Sequence, residues 1–93
     1  MAETLTDQAI EEHLRGREWQ REGDAITREL TFADFTSAVA FVNRVAEAAE
    51  AANHHPDVAI HGYNKVTLTL STHSAGGITE ADLNLAQALD RLA

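Results

Sequence analysis

The segment that follows Asp34 constrains the fold most, because its apolar side chains recur at three- and four-residue spacing. That spacing places them on one face of a helix, and Asp34 suits the N-cap position at its start. The apolar stripe comprises Phe35, Ala38, Val39, Val42, Val45, Ala46 and Ala49. Pro56 disfavours helical backbone in the residue before it, so the helix is predicted to end at about Ala52.

Alternating polar and apolar residues predict a sheet beneath this helix. The clearest strand runs from Lys65 to His73, where Val66, Leu68 and Leu70 share one parity. Further strands are predicted at Glu18 to Glu22, Ala25 to Phe32 and Val58 to His61. The short turn Gly23-Asp24 joins the first two of these as an antiparallel hairpin.

Two more helices complete the predicted order. Thr6 caps a short helix that ends at about Leu14, and the sequence Thr79 to Asp82 resembles a capping box that opens a last helix ending at about Leu92. The order α-β-β-α-β-β-α predicts an α+β fold in two layers, a four-stranded antiparallel sheet with the helices packed on one face. With 93 residues, the chain is expected to form a single domain over residues 1–93.

Composition narrows the class of partners. The net charge is −8 and the 7 Lys and Arg residues are scattered, so we expect no direct binding to nucleic acid. No apolar run approaches the roughly 20 residues that cross a bilayer, so we expect no membrane association. The first residues show no basic and apolar leader pattern, and the chain has no cysteine, so we expect a cytoplasmic setting.

Histidines are grouped where the long helix ends. His54 and His55 precede Pro56, and His73 lies at the end of the clearest strand, followed by Asp82 in the last helix. Histidine titrates near neutral pH, so such a group is typical of proton transfer or of metal binding. Glu50 lies four residues before His54 and is expected to orient its ring.

Two other interpretations of the histidines stay open at this point. His54, His55 and His73 could supply the three ligands of a catalytic zinc, although no HExxH spacing is present and adjacent side chains usually diverge. Alternatively, the adjacent pair could be exposed residues at the helix C-terminus, where the helix dipole favours histidine, with no function. We expect a solvated helix position for His13 and a structural role for His61.

Several short motifs follow one another in a specific order. They are Glu50 with His54-His55-Pro56, then Tyr63-Asn64-Lys65-Val66, Leu70-Ser71-Thr72-His73, Ala75-Gly76-Gly77 and Asp82. Upstream, the same pattern includes Gly16 to Trp19, Ile26 to Phe32, and Phe35 with Val42-Asn43-Arg44-Val45-Ala46. In these motifs the chain resembles the pterin-4a-carbinolamine dehydratases over essentially its whole length.

The resemblance implies an enzyme that removes water from 4a-hydroxytetrahydrobiopterin to give a quinonoid dihydropterin, in tetrahydrobiopterin recycling, without a metal or other cofactor. It implies acid/base catalysis by His54 and His73, with His55 binding and orienting the substrate and Glu50 orienting His54. The expected substrate-binding residues are Asn53, His54, His55, Ser71, Thr72, His73 and Asp82.

The same resemblance implies a second class of function and an oligomer. Relatives on this fold act as a dimerisation cofactor of a transcription factor or are linked to Rubisco assembly, so a non-enzymatic interaction protein is the alternative. A homodimer or homotetramer is expected. The wide apolar surface predicted for the last helix could contact a partner helix.

Overall fold

The structure is a computed structural model and describes residues 3–93. Met1 and Ala2, which belong to the N-terminal segment where we expect no leader, lie outside the described residues. The helices are α1 (Asp7–Leu14), α2 (Phe35–Ala52) and α3 (Glu80–Asp90), and a short 3-10 helix spans His73–Ala75. The strands are β1 (Gln20–Glu22), β2 (Ala25–Thr31), β3 (Asp57–His61) and β4 (Lys65–Leu70).

The four strands form one antiparallel sheet in the order β1-β2-β4-β3. Ile26 pairs with Leu70, and Val58 pairs with Leu68. Val66, Leu68 and Leu70 are buried on the face that the helices cover, while the intervening residues of β4 are only partly covered. The predicted α+β architecture and element order are therefore confirmed.

Strand β4 is shorter than its sequence pattern predicts, since it ends at Leu70 and not at His73. The partner strand β2 begins at Ala25, so pairing on that side stops where Ile26 meets Leu70. The next side chain, Ser71, donates its hydroxyl to the Asp24 carbonyl at 2.8 Å. His73 consequently lies in the turn after the strand. The strand ends where it loses its partner strand β2. The alternation of polar and apolar residues does not show where a neighbouring strand ends.

Strand β1 begins later than predicted, at Gln20 instead of Glu18. Its pairing with β2 ends at Gln20 opposite Thr27. Trp19 lies just before the strand and is 3% exposed, with its indole N–H donating to Asp90 at 2.8 Å. Arg28 donates to the same carboxylate oxygen at 2.5 Å. Trp19 is therefore a core anchor, and Asp90 ties the hairpin to the end of α3.

Helix α2 is rotated from the orientation that its apolar stripe predicts. Ala38, Phe41, Val45 and Ala49 are buried, whereas Phe35 is 53% exposed. The ring of Phe41 lies 5.0 Å from that of Phe32, and the guanidinium of Arg44 lies 5.8 Å from its centroid. Alanines at several positions make the stripe too wide to show which edge faces the sheet, and the larger Phe41 side chain takes the core position.

The apolar surface of α3 is covered within the chain. Leu83, Leu85, Ala86 and Leu89 are buried, and Ala88 and Leu92 are partly buried against the same core. The surface that was expected to meet a partner helix therefore packs against the rest of its own fold. No helix within residues 3–93 is both long enough and apolar enough to cross a membrane.

Phe41 and Phe35 test the orientation of α2. Phe41→Ala removes a fully buried ring and is expected to lower the free energy of unfolding by about 3–5 kcal/mol. Phe35→Ala truncates an exposed ring and is expected to cost about 1 kcal/mol or less. Urea denaturation of both variants measures the difference. Equal losses would contradict this orientation of the helix.

Asp34 gives a pH-dependent test of the start of α2. Its carboxylate accepts from the Ser37 backbone N–H at 2.8 Å. Hydrogen bonds from Ser37, from its side chain and then its backbone, lower the pKa of Asp34 below 3.8. A lowered folded-state pKa adds stability above the unfolded value, and that stability is lost as pH falls through the folded value.

Asp34→Asn keeps an N-capping side chain but cannot titrate. The difference in unfolding free energy between wild type and Asp34→Asn is therefore expected to be constant above about pH 5. Below pH 3.8 the wild type is expected to lose stability relative to Asp34→Asn, because only the wild-type side chain becomes protonated. Urea titrations across this range measure it. Parallel acid profiles for the two proteins would show that the cap does not titrate as proposed.

Candidate active site

The end of α2 sets the position of His54. Asn53 has a left-handed backbone, with φ 51° and ψ 41°, and its N–H donates to the Glu50 carbonyl at 3.2 Å. The N–H of His54 reaches back to the Ala49 carbonyl at 3.1 Å. These two bonds form a Schellman motif, which asparagine tolerates better than most residues. The chain therefore leaves the helix in a fixed direction, and His54 directly follows the left-handed residue that ends it.

His54 is paired with a buried carboxylate. Its Nε2 lies 2.5 Å from Oδ1 of Asp82, which is 0% exposed. The second oxygen, Oδ2, accepts from the Thr72 hydroxyl at 2.8 Å and from the Thr79 N–H at 2.8 Å. The Thr79 contact is the carboxylate half of the capping box predicted from sequence. Asp82 thus joins the end of α2, the turn after β4 and the start of α3.

This arrangement defines which nitrogen of His54 carries a proton. Asp82 receives two donors on one oxygen, as an ionised carboxylate does, and its other oxygen needs a donor from the imidazole. The proton therefore lies on Nε2, and Nδ1 is the nitrogen that can exchange a proton with a ligand. The first turn of α3 adds its favourable dipole to the buried charge.

Glu50 contacts the other histidine. Its Oε2 lies 2.5 Å from Nε2 of His55, with both side chains largely exposed. Glu50 therefore orients His55, and not His54 as expected from their four-residue spacing. The left-handed turn at Asn53 sends His54 towards α3, which removes it from the side of α2 that carries Glu50. The expectation that the two adjacent histidines diverge is confirmed.

The two histidines line different grooves. His54 borders a groove of ≈ 260 Å³ between α2 and α3. Its other lining residues are Ala52, Ala81, Asn84, Leu85 and Ala88. His55 and Glu50 border an apolar groove of ≈ 200 Å³ between α2 and β3. Each groove is smaller than the roughly 300–1,000 Å³ typical of ligand pockets.

His73 lies in the turn that follows β4. Thr72 pairs with Gly77 across this turn, and the Thr72 N–H donates to the Gly77 carbonyl at 2.9 Å. The N-terminal segment packs on the same turn, because a Cβ at Gly77 would lie 3.1 Å from Cγ2 of Thr4. His73 is exposed, and its neighbour Thr72 connects it through Asp82 to His54.

The predicted substrate-binding residues fall into three groups in the structure. Asn53, His54, His55 and His73 have exposed or partly exposed side chains near the end of α2 and the turn. Thr72 and Asp82 are buried and bonded to each other. Ser71 directs its hydroxyl to the hairpin carbonyl of Asp24. Because Thr72 and Asp82 are buried, they can affect a ligand only through His54, which Asp82 contacts, and His73, which follows Thr72.

The other two histidines lie outside this cluster. On the outer sheet face, Nε2 of His61 is 2.9 Å from the Thr67 hydroxyl and 3.2 Å from Glu29, in line with a structural role. His13 is half-buried and lies 3.4 Å from Gln87. Burial and then the charge of Arg17 lower the pKa of His13. It is less solvated than expected.

Within residues 3–93, no three His, Asp or Glu side chains are grouped so that they could hold a metal ion. His54 and His55 instead have a carboxylate each and diverge. The zinc interpretation of the three histidines therefore finds no support in the geometry. What the site offers chemically is a histidine–carboxylate pair with a free ring nitrogen beside a groove.

A family model for pterin 4 alpha carbinolamine dehydratase matches residues 3–92. The chain belongs to this family. A relative in Thermomicrobium roseum, named as a candidate pterin-4-alpha-carbinolamine dehydratase, is 59% identical over 81% of this chain and 80% of its own. A relative of the same name in Nocardia farcinica is 50% identical over 98% of this chain and 96% of its own.

Two solved structures are similar to this dehydratase-family fold. A transcriptional coactivator/pterin dehydratase from Brucella melitensis has a TM-score of 0.88 and 39% identity, covering 97% of this chain and 98% of that one. A pterin dehydratase-like protein described as a RuBisCO assembly factor in the alpha-carboxysome has a TM-score of 0.64 and 25% identity. It covers 81% of this chain and 86% of that one.

Sequence reasoning missed Thr79 as part of the site. Its spacing to Asp82 identifies a helix cap, and a cap explains that pattern fully. Only the fold shows that Asp82 turns its other oxygen to His54, since the two residues lie 28 positions apart. The groove residues of α3, such as Asn84, carry no sequence signal of their own.

Asp82 and Glu50 make a matched pair for testing the buried carboxylate. Asp82→Asn replaces one carboxylate oxygen, which accepts hydrogen bonds, with an NH2 group that faces other donors. We therefore expect a loss of about 1–3 kcal/mol in unfolding free energy. Glu50→Gln changes an exposed pair and is expected to stay within about 0.5 kcal/mol of wild type. Urea denaturation measures both. An Asp82→Asn protein as stable as wild type would contradict the buried network.

Proposed function

We propose that the protein is a 4a-hydroxytetrahydrobiopterin dehydratase, a hydro-lyase in tetrahydrobiopterin recycling. The observation that carries the proposal is the His54–Asp82 pair, in a chain of this family, with one ring nitrogen free beside a groove. The reaction needs proton transfer at neutral pH, which is what a held imidazole supplies.

The chemistry is an elimination that balances without a cofactor. The C4a–O bond breaks, and the hydroxyl leaves as water after it receives a proton from an acid. A ring N–H of the pterin loses its proton to a base, and its electron pair forms the new double bond of the quinonoid dihydropterin. One acid and one base are required, and each contributes roughly 10²–10⁴-fold.

The proposed roles are those that the family resemblance implies, and the hydrogen bonds of the side chains support them. His54 exchanges a proton through Nδ1, while Asp82 fixes its tautomer and orientation. His73, on the turn beyond Thr72, is the second acid/base group. His55, held by Glu50 at 2.5 Å, binds and orients the pterin. Asn53 and Ser71 are proposed as further substrate contacts, and Asp82 and Thr72 support the histidines from behind.

The second candidate function is a non-enzymatic role in binding other proteins. The names of the two solved relatives support this candidate. One is named both coactivator and dehydratase, and the other a RuBisCO assembly factor. The chain is more similar to the first, at 39% against 25% identity. Co-purification from the host separates the classes: a stable regulator or Rubisco complex without dehydratase activity would favour the second.

We also propose that the chain works as a homodimer or homotetramer in the cytoplasm, with a pterin as its small-molecule partner and without nucleic acid. The exposed apolar side chains Phe35 and Val58 lie on α2 and β3, where contact with another copy would cover them. Light scattering at micromolar concentration tests this, and a monomer would refute it.

The catalytic histidines are tested by removing them together. His54→Ala with His73→Ala is expected to abolish acceleration of 4a-hydroxytetrahydropterin dehydration, followed spectrophotometrically against the uncatalysed background. Each single variant is expected to lose roughly 10²–10⁴-fold in kcat, because each removes one proton-transfer group.

His61→Ala is the matched control, since His61 lies on the outer face of the sheet and contacts Thr67. Its rate is expected to equal that of wild type. A folded double variant that dehydrates at the wild-type rate would rule out the assigned roles. An inactive wild-type protein would rule out the proposed enzyme itself.

A further inference from the structure

Two buried threonine hydroxyls lie behind the candidate active site, and neither exchanges a proton with the substrate in the proposed chemistry. The hydroxyls of Thr72 and Thr79 are 2.8 Å apart, and the two residues are 8% and 1% exposed. Thr79 lies directly before α3, and Thr72 lies just after β4. Burying two hydroxyl groups costs free energy unless both are hydrogen-bonded. The bond between the two threonines meets this requirement, and it also joins two separate segments of the chain.

The direction of these hydrogen bonds is fixed by proton count. Thr72 has one hydroxyl proton and donates it to Oδ2 of Asp82 at 2.8 Å. Between the two threonines, Thr79 must therefore be the donor. The result is one chain from Thr79 through Thr72 to Asp82, whose other oxygen takes the Nε2 proton of His54.

The backbone of Thr72 holds the turn that carries His73. Its carbonyl accepts the N–H groups of Ala75 at 3.0 Å, Gly76 at 2.9 Å and Gly77 at 3.3 Å. Its own N–H donates to the Gly77 carbonyl at 2.9 Å. Thr72 is therefore bonded through its side chain to the carboxylate of one catalytic half and through its backbone to the other half.

We propose that Thr72 and Thr79 form a hydroxyl pair that fixes the His73 turn relative to the His54–Asp82 pair. Both are positioning residues, and neither contacts the substrate. The inference rests on the proposed dehydratase function for its kinetic consequence, but the coupling of turn and carboxylate does not depend on it. It also reassigns Thr72, which the family resemblance implies to be a substrate-binding residue.

A purely capping role for Thr79 makes a different prediction. A cap stabilises α3 whether or not Thr72 has a hydroxyl, so the effects of changing the two residues would add. Effects within one hydrogen-bonded chain are not additive, because the Thr79 hydroxyl acts on Asp82 only through the Thr72 hydroxyl. A double-mutant cycle therefore distinguishes positioning from capping.

The cycle uses Thr72→Val and Thr79→Val, which keep the shape and remove the hydroxyl. Each single variant is expected to lower kcat about 2- to 12-fold, the rate equivalent of one ordinary hydrogen bond, with KM nearly unchanged. The double variant is expected to be no slower than the slower single one. Thr79→Ser and Thr72→Ser restore the hydroxyls and are expected to recover kcat. Thr69→Val, on the outer sheet face, is the control.

Amide hydrogen exchange supplies a readout that needs no enzyme activity. The N–H groups of Ala75 and Gly76 donate to the Thr72 carbonyl, so both are expected to exchange roughly tenfold faster in Thr72→Val and in Thr79→Val. Helix α2 should keep its exchange rates. If Thr72→Val does not fold, Thr79→Val and Thr79→Ser carry the same comparison, because the Thr79 hydroxyl reaches the carboxylate through the Thr72 hydroxyl.

The outcomes separate this inference from the proposed function. Additive effects on kcat, or wild-type exchange at Ala75 and Gly76 in both valine variants, would overturn the positioning role while leaving the enzyme intact. An inactive wild-type protein would overturn the dehydratase, and exchange alone would then decide whether the threonines couple the turn to Asp82.

Discussion

The carboxylate of Asp82 is the interaction on which the site depends. It is fully buried, and it accepts hydrogen bonds from three parts of the chain: His54 after α2, Thr72 after β4, and Thr79 before α3. A buried charge is costly unless each of its oxygens is satisfied, so these three segments must meet at one point. The same requirement that closes this end of the fold also sets the tautomer of His54.

Local signals in the sequence were sufficient for the architecture. The period of the segment after Asp34, the alternation around Leu68 and the proline at position 56 predict the helices, strands and their order. They failed where a neighbour decides the outcome. Alternation continues to His73, but β2 offers no partner beyond Ile26. The stripe on α2 is apolar over a wide arc, and only packing shows that Phe41 faces the core and Phe35 does not.

For the site, the sequence identifies the residue types better than their pairing. Resemblance singles out His54, His55, His73, Glu50 and Asp82. It does not show that Glu50 pairs with His55, because spacing along a helix does not report the left-handed turn at Asn53 that redirects the chain. Contacts between residues far apart in sequence, such as those that join Thr79 to Thr72 and Asp82 to His54, follow from the assembled layers and not from a motif.

The protonation of the His54 ring gives the most direct test of this arrangement. Long-range proton–nitrogen correlation spectra of the folded protein, recorded where the ring is neutral, report which nitrogen carries hydrogen. We expect the proton of His54 on Nε2, held by Asp82, with Nδ1 as the unprotonated nitrogen. A neutral ring protonated on Nδ1 would contradict the pairing, and with it the proposed route of proton exchange with the pterin.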